Sequence, residues 1–290
     1  MSRRLGVAAD PAAVLPTLGA KEMVAWLPTL LGFGAGDVVG FPSLAYPTYE
    51  VGALLAGATP RVLDATLAAG PARIAMLWVN SPANPTGRVL PPDHLRKMVD
   101  WARERGTILV SDECYIEFGW DVETPPFSVL HPSICGSSHA GLLAVHSLSK
   151  RSNLAGYRAG FVAGDPGLVA RLLEVRKHAG MIVPAPVQAA MIAALDDDAH
   201  VAAQRSRYES RRAELRPALE AAGFTIEHSQ AGLYLWATRD EDCWTTVGWL
   251  ASRGILVAPG SFYGSAGERH VRVALTASDE RVSAAAARLR

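Results

Sequence analysis

The apolar residues of this chain follow two different patterns, and the change between them divides the sequence in two. Over the first 165 residues, short continuous apolar runs of the kind found in buried strands alternate with stretches of helical spacing. The predicted strands cover residues 37–41, 74–79, 107–111, 141–145 and 161–164. This alternation predicts an α/β fold, with a mainly parallel doubly wound sheet and helices on both of its faces.

The second pattern begins after a long charged stretch. Residues 198–222 predict a solvated helix that is broken near Pro217. Short strands are then predicted at 223–226, 232–236 and 270–275, with helices at 241–253 and 278–289. This mixture predicts a smaller C-terminal α+β domain. We therefore expect a large domain over residues 1–186, followed by a linking helix and the small domain over residues 187–290.

Composition and charge narrow the class of protein. The chain has 290 residues, of which 49% are hydrophobic, and its 28 basic and 28 acidic residues balance. A neutral balance gives no indication of nucleic acid or of an acidic membrane as a partner, and no apolar run reaches the roughly 18 residues of a membrane span. The three cysteines lack the spacing of a metal site, so we expect no metal and a reducing, cytoplasmic location.

The most informative stretch follows the predicted strand at 141–145. It carries Ser147, Ser149, Lys150 and, a little further on, Arg158. An amine at the end of an apolar strand is partly desolvated, which favours its neutral, nucleophilic form. Two hydroxyls and a guanidinium are suited to binding a phosphate. A nucleophilic lysine beside a phosphate site suggests pyridoxal phosphate (PLP) as cofactor, and a surface turn with a solvated lysine is the alternative.

Three further candidates each follow an apolar strand. Asp112 is costly to bury unless it faces a cation, and a pyridinium nitrogen would be one. Asn84 offers an amide to a ring oxygen, and the ring of Tyr46 would cover a flat ligand. Because ligands of such sheets bind beyond the carboxyl ends of the strands, these positions converge on one site. The alternatives are a capping aspartate, a turn-forming asparagine and a packed tyrosine.

Two more positions have a functional and a structural interpretation. Gly19 and Ala20 open a stretch of helical spacing, where free backbone N–H groups would face an anion. An ordinary helix start explains the same pattern. Arg272 stands inside an apolar run, where a guanidinium needs a partner. That partner is either a substrate carboxylate or a structural salt bridge.

Taken together, these motifs resemble the class I and II aminotransferases of PLP fold type I over nearly the whole chain. The motifs are Gly-Ala-Lys-Glu at 19–22, Tyr-Pro-Thr-Tyr at 46–49, Asn-Pro-Thr-Gly at 84–87, Asp-Glu-Cys-Tyr at 112–115, Ser-Leu-Ser-Lys at 147–150, Gly-Tyr-Arg-Ala-Gly at 156–160 and Arg-Val-Ala-Leu-Thr at 272–276. The resemblance implies a large PLP-binding domain and a smaller C-terminal domain.

The resemblance also implies a role for each site residue. Lys150 would attach the cofactor and move the substrate proton, and Asp112 would pair with the pyridine nitrogen. Asn84 and Tyr115 would bind the ring hydroxyl, and Tyr46 would stack on the ring. The residues implied around the phosphate are Gly19, Ala20, Lys21, Ser147, Ser149 and Arg158. Arg272, with Asn84, would bind the substrate carboxylate.

By the same resemblance the protein is a homodimeric enzyme that transfers an amino group between amino acids and 2-oxo acids. Residues 19–37 and 44–58 are most similar to actinobacterial N-succinyldiaminopimelate aminotransferases. This predicts N-succinyl-LL-2,6-diaminopimelate as amino donor and 2-oxoglutarate as acceptor, in lysine and diaminopimelate biosynthesis. The alternatives are another amino-acid aminotransferase or β-lyase of this fold, and an inactive PLP-fold module.

The sequence departs from the family in two places. Family chains usually begin well before this one does, in a segment that supplies an N-terminal arm and residues reaching the partner subunit's site. Ala20 stands where a hydroxyl residue is often found, which removes one phosphate donor. We therefore expect a nearly complete cofactor pocket and a less complete substrate pocket, in a chain that is a fragment, a mis-started reading frame or a shortened variant.

Overall fold

The structure, a computed structural model, describes residues 1–290 and contains two separate sheets. The larger has seven strands in the order β1-β7-β6-β5-β4-β2-β3. They are β1 (Val14–Thr17), β2 (Val38–Phe41), β3 (Thr59–Val62), β4 (Met76–Asn80), β5 (Ile108–Asp112), β6 (Leu142–Ser147) and β7 (Gly160–Gly164). Strands β2 to β6 are parallel, and only β7 runs against its two neighbours. The predicted mainly parallel sheet is confirmed.

Helices cover both faces of this sheet. They are α1 (Ser2–Leu5), α2 (Ala20–Leu30), α3 (Thr48–Leu55), α4 (Pro92–Arg105), α5 (Pro132–Cys135), α6 (Leu148–Arg151) and α7 (Pro166–His178). The central strands β4 and β6 are buried at every position, because each strand contributes side chains to a core on either side. Trp78 of β4 packs in one of these cores and Leu77 in the other. This two-sided burial produces the continuous apolar runs in the sequence.

Two edge strands, β1 and β3, were not predicted. β1 has only four residues and includes Pro16, which a sheet tolerates at its edge. β3 lies at the opposite edge, and none of its four residues is buried. Neither strand has the apolar run that identifies the central strands, so backbone pairing with β7 and β2 defines them.

The second sheet lies in the C-terminal part of the chain and is antiparallel, in the order β10-β11-β9-β8. Its strands are β8 (Thr225–Glu227), β9 (Tyr234–Thr238), β10 (Ala258–Pro259) and β11 (His270–Ala274). Helices α8 (Ala185–Asp196), α9 (Ala199–Ala221), α10 (Cys243–Ala251) and α11 (Asp279–Leu289) accompany them. The predicted α+β unit is confirmed, whereas the boundary between residues 186 and 187 stays a prediction.

The expected break in the long helix near Pro217 is wrong. Helix α9 runs without interruption through Pro217, although a proline inside a helix costs about 3 kcal/mol. Leu215 and Leu219, on either side of the proline, are buried in the core of the C-terminal unit. Burial of such side chains contributes roughly 1.5–3 kcal/mol each. Tertiary packing therefore outweighs the local cost of the proline.

None of the helices combines the length and the apolar character required to cross a lipid bilayer.

Candidate active site

The polar groups singled out above lie where the parallel strands of the large sheet end. Asn80 of β4 lies opposite Asp112 of β5 in the strand register. The Asn80 side-chain amide donates to the Asp112 carbonyl at 2.9 Å, and its oxygen accepts the Asn84 N–H at 2.7 Å. Asn80 therefore ties together the two chain segments that carry Asp112 and Asn84. Asn80 is not among the predicted site residues, although it is the polar residue that follows the apolar strand predicted at 74–79.

Asp112 lies at one end of the site and is held by two donors. The Tyr49 hydroxyl donates to Asp112 Oδ2 at 2.8 Å, and the Cys114 N–H donates to Oδ1 at 3.1 Å. Tyr49 is completely buried, and its ring stacks on Trp78 with centroids 5.0 Å apart. Burial, together with the charge of Asp112, raises the pKa of Tyr49 well above its ordinary value. The phenol therefore stays protonated and acts as a donor. We call this region, Tyr49, Asp112 and Cys114, the ring end.

Lys150 stands in the short helix α6, immediately after β6. Burial lowers the pKa of its amine, the neighbouring Cys114 thiol opposes that shift, and the charges of Arg272 and Lys21 add to it. The lysine is thus near groups from three other segments of the chain. A partly buried amine with a lowered pKa has the properties that a nucleophilic lysine needs.

The other end of the site is built from backbone N–H groups and a guanidinium. Helix α2 begins at Ala20, and Gly19 before it provides no side-chain cap. A Cβ atom on Gly19 would lie 2.5 Å from Arg158 Nη2, and Gly19 has a φ of +80°, so only glycine fits there. The Arg158 side chain donates to the carbonyls of Ala155 at 2.8 Å and Leu18 at 3.5 Å. We call Gly19, Ala20 and Arg158 the phosphate end.

Lys21, Ser147 and Ser149, which are also predicted to bind the phosphate, lie near the phosphate end. Lys21 Nζ is 5.4 Å from the centre of the Tyr46 ring. Ser147 Oγ accepts the Ser149 N–H at 3.2 Å, which caps the helix that carries Lys150. The backbone N–H of Ala20 lies 3.0 Å from where a Cβ on Gly160 would be, so the motif after Arg158 packs directly on the start of α2.

Arg272 enters the site from the second sheet. Its Nη1 donates to Asn84 Oδ1 at 2.9 Å, and its guanidinium carbon is 5.1 Å from the ring centres of both Tyr234 and Tyr263. Its Nε is buried without a partner. The alternative of a structural salt bridge is wrong, because the neighbours of Arg272 are an amide and two aromatic rings. Tyr115 packs edge-on against Tyr234 with centroids 5.3 Å apart.

The two sheets meet at this site. The Ala45 N–H donates to the Tyr263 carbonyl at 2.9 Å, and the Tyr234 hydroxyl donates to the Ala83 carbonyl at 3.1 Å. Tyr49, Tyr234 and Tyr263 therefore shape the site, although the sequence interpretation gave them no role. No local pattern in the sequence signals these contacts, because each joins segments that are far apart along the chain.

Glu113, which directly follows Asp112, and His146, which directly precedes Ser147, point away from this site. Glu113 Oε2 and His146 Nε2 are 3.4 Å apart, and the His146 ring stacks on Phe161. Burial raises the pKa of Glu113 to about 7 and lowers that of His146 to about 3. Burial thus favours the neutral form of both. A cavity of about 930 Å³ is lined by these two residues and not by Asp112 or Lys150.

The donor set fits pyridoxal phosphate group by group. A desolvated lysine matches its aldehyde, and a buried carboxylate matches its ring nitrogen. Uncapped helix N–H groups, hydroxyls and a guanidinium match its phosphate. Because Gly19 has no side chain, the Arg158 guanidinium can lie directly beside the start of α2. No other cluster described in the chain combines these features.

Comparison with known proteins gives a family for this architecture. The family model for aminotransferase class I and II matches residues 1–289. The chain is 63% identical over 289 residues to the 4-dedimethylamino-4-oxo-anhydrotetracycline transaminase OxyQ of Streptomyces rimosus, covering all of this chain and 80% of that protein. It is 65% identical over 290 residues to a probable aminotransferase of Mycobacterium tuberculosis, covering all of this chain and 69% of that protein.

More distant relatives are aminotransferases with other names. An LL-diaminopimelate aminotransferase of Desulforudis audaxviator is 34% identical over 307 residues, covering all of this chain and 77% of that protein. Among solved structures, a probable N-succinyldiaminopimelate aminotransferase from Thermus thermophilus superposes with a TM-score of 0.88 at 28% identity. That match covers 99% of this chain and 80% of the other.

Proposed function

Because this chain belongs to the class I and II aminotransferases, which are PLP-dependent transaminases, we propose that Lys150 is its cofactor lysine and Arg272 its substrate-carboxylate residue. The observation that carries this proposal is the convergence of Lys150, Asp112, Asn84 and Arg272 on one site where the two sheets meet. Substrates of the family are amino acids and 2-oxo acids.

The residues of the chain divide the work of transamination among them. When bound, PLP supplies a ring that accepts the electrons left on the substrate Cα after its proton departs. Lys150 removes that proton and returns one, and the lowered pKa leaves its amine neutral, and so basic, over a wider pH range. Asp112, oriented by its two donors, would pair with the ring nitrogen. Asn84 and Tyr115 would bind the ring hydroxyl, and Tyr46 would cover the ring.

The remaining residues hold the two charged ends of the ligands. The phosphate would be surrounded by backbone groups and side chains. They are the backbone of Gly19, Ala20 and Lys21, and the side chains of Ser147, Ser149 and Arg158. Arg272 binds the substrate α-carboxylate through the edge of its guanidinium that includes the unpaired Nε. Its Asn84 partner then links substrate and cofactor binding.

For the amino donor we propose N-succinyl-LL-2,6-diaminopimelate, with 2-oxoglutarate as acceptor, in lysine and diaminopimelate biosynthesis. The similarity to the Thermus protein and to the LL-diaminopimelate aminotransferase supports this choice. A second candidate is a 4-oxo-anhydrotetracycline, supported by the 63% identity to OxyQ. The two differ at the reacting centre, because a ring ketone has no α-carboxylate for Arg272 to bind.

The decisive experiment supplies each candidate to the PLP-loaded protein. N-succinyl-LL-2,6-diaminopimelate with 2-oxoglutarate should yield glutamate, and Arg272→Gln should lower kcat/KM by about a hundred-fold, the scale of a lost bidentate ion pair. Amination of the tetracycline ketone by glutamate, at a rate above that of the succinylated substrate, would favour the second candidate. A cysteine thioether, supplied alone, tests the β-lyase alternative, because loss of its thiol group from Cβ would release ammonia and pyruvate without a second substrate.

We further propose that the protein is a cytoplasmic homodimer, in line with the soluble, commonly dimeric enzymes of the family. Light scattering after size exclusion should give about twice the chain mass of 30.8 kDa. A monomer that retains full activity would contradict the dimer.

A further inference from the structure

The hydroxyl of Tyr49 is buried in the site, and the family resemblance implies no role for it. Tyr49 has no exposed surface, and the only hydrogen bond of its hydroxyl is the 2.8 Å contact to Asp112 Oδ2. We propose that Tyr49 is a positioning residue that fixes the carboxylate of Asp112 for the ring nitrogen of the cofactor. This inference rests on the proposed function, in which Asp112 is the partner of that nitrogen.

The ring of Tyr49 is fixed before any ligand binds. Tyr49 lies in the first turn of α3, and its ring stacks on Trp78 at an interplanar angle of 24°. Trp78 belongs to β4, and β4 pairs directly with the strand that carries Asp112. The hydroxyl is therefore aimed at Asp112 by a rigid helix and a rigid strand. It does not depend on a mobile loop.

A carboxylate needs this kind of support. The last torsion of an aspartate side chain has broad, shallow minima, so rotation of the group is restrained mainly by its hydrogen bonds. Here one oxygen accepts from the Cys114 backbone and the other from Tyr49. The two donors come from different elements, and together they fix the plane of the group. Loss of the Tyr49 hydroxyl would leave only the local Cys114 contact.

An ordinary core tyrosine would also be buried and bonded, so the test must separate packing from action through Asp112. Tyr49→Phe keeps the ring and its stack on Trp78, and removes only the hydroxyl. The matched control is Tyr208→Phe, which removes a hydroxyl from a tyrosine that is 4% exposed and bonded to Asn153 in another core. Both variants should fold and melt within a few degrees of the natural protein.

The first readout uses the cofactor-free protein. Infrared difference spectra, with carbon-13 in the aspartate carboxylates, should show a shifted carboxylate band in Tyr49→Phe and none in Tyr208→Phe. The second readout is the Kd for PLP, which should rise about ten-fold in Tyr49→Phe, in keeping with loss of a bond to a charged group. At saturating PLP, kcat should fall about ten-fold while the KM for the amino donor changes less than two-fold.

A double-mutant cycle decides whether the effect passes through Asp112. In an Asp112→Asn background, Tyr49→Phe should change the Kd for PLP by less than two-fold, because the shared partner is already altered. An equal effect in both backgrounds would overturn the inference, and so would an unshifted carboxylate band. If Tyr49→Phe does not fold, 3-fluorotyrosine at position 49 replaces it, and an unchanged band would again overturn the proposal.

The outcome also distinguishes this inference from the proposed function. If Asp112→Asn alters turnover but Tyr49→Phe does not, only the role of Tyr49 is lost. If Asp112→Asn itself leaves turnover unchanged, Asp112 is not the partner of the ring nitrogen, and both proposals are overturned.

Discussion

The ring end and the phosphate end of the site differ in how their polar groups are hydrogen-bonded. At the ring end, the polar atoms of Tyr49 and Asp112 are bonded to each other and to backbone, inside the core of the large sheet. At the phosphate end, helix α2 starts without a side-chain cap, and the exposed Arg158 contacts only two carbonyl oxygens. One end is complete without a ligand, whereas the other presents donors that an anion would satisfy.

This difference teaches how the two ends divide their tasks. A buried, fully bonded group keeps its geometry during a reaction, which is the condition for stabilising charge as it develops. Exposed donors gain their partner only when the ligand arrives, so they contribute chiefly to its affinity. We therefore expect changes at the ring end to lower turnover even when PLP is saturating, and changes at the phosphate end to weaken cofactor binding alone.

Lys150→Ala tests the group between the two ends and should have the largest effect. Without its amine no proton can be moved at the substrate, and activity should fall by about a thousand-fold or more, the range expected for a lost general base. Borohydride reduction of the PLP-loaded natural protein, followed by peptide mapping, should label Lys150. A label on Lys21, Lys97 or Lys177 would contradict the assignment.

Asp112→Asn tests the ring end. An amide cannot supply the negative charge that faces the ring nitrogen, so the barrier should rise by more than about 2 kcal/mol, roughly thirty-fold in kcat. The variant should still bind PLP, because the phosphate end is intact. Steady-state kinetics at saturating PLP provide the measurement. Near-natural turnover would show that Asp112 is only a turn residue.

Arg158→Gln tests the phosphate end. Removal of the charged donor should raise the Kd for PLP about ten-fold, the lower part of the range for hydrogen bonds to charged groups, because Arg158 is exposed to solvent. Once PLP is saturating, kcat should change less than two-fold. A titration of the cofactor-free protein with PLP gives the first number and an assay gives the second. A large loss of kcat would remove the distinction between the two ends.

Ala20→Ser should have the smallest effect, and in the opposite direction. A hydroxyl at the start of α2 adds one donor toward the phosphate, which should tighten PLP binding about two- to five-fold. The control is Ala25→Ser in the same helix, which is away from the helix start. Unchanged affinity in Ala20→Ser would mean that the backbone N–H groups already satisfy the phosphate.

The same contrast explains how far the sequence could be used to predict the site. Lys150, Asp112, Asn84 and Tyr46 were identified because each comes just after an apolar strand, and parallel strands end at a common edge. Tyr49 was not identified, since it lies inside a helix and its contact with Asp112 joins residues 63 positions apart. Pairing of that kind depends on tertiary packing, which no local pattern encodes.

The elements show a similar division. The central strands can be recognised in the sequence because both of their faces are buried, so nearly all their residues are apolar. Strand β3 is exposed and is defined by its pairing with β2. Pro217 gave a misleading local signal, because burial of Leu215 and Leu219 is decided by the C-terminal core.

The buried pair Glu113 and His146 has a consequence for the proton balance of unfolding. Unfolding returns Glu113 from about 7 to its ordinary pKa of 4.5, and His146 from about 3 to 6.5. Alone, the raised pKa of Glu113 would make stability fall as pH rises from 4.5 to 7. The lowered pKa of His146 would make it rise between pH 3 and 6.5.

Between pH 4.5 and 6.5 these two trends cancel. The folded pair holds one proton, on Glu113, and the unfolded pair also holds one, on His146. Since pH acts on stability only through the difference in bound protons, this pair adds no pH dependence there. In Glu113→Gln the titration of His146 would no longer be compensated by that of Glu113. The free energy of unfolding, measured by urea titration at several pH values, should then rise with pH by up to about 1.4 kcal/mol per pH unit. In the natural protein, this pair therefore binds the same number of protons before and after unfolding in that pH range.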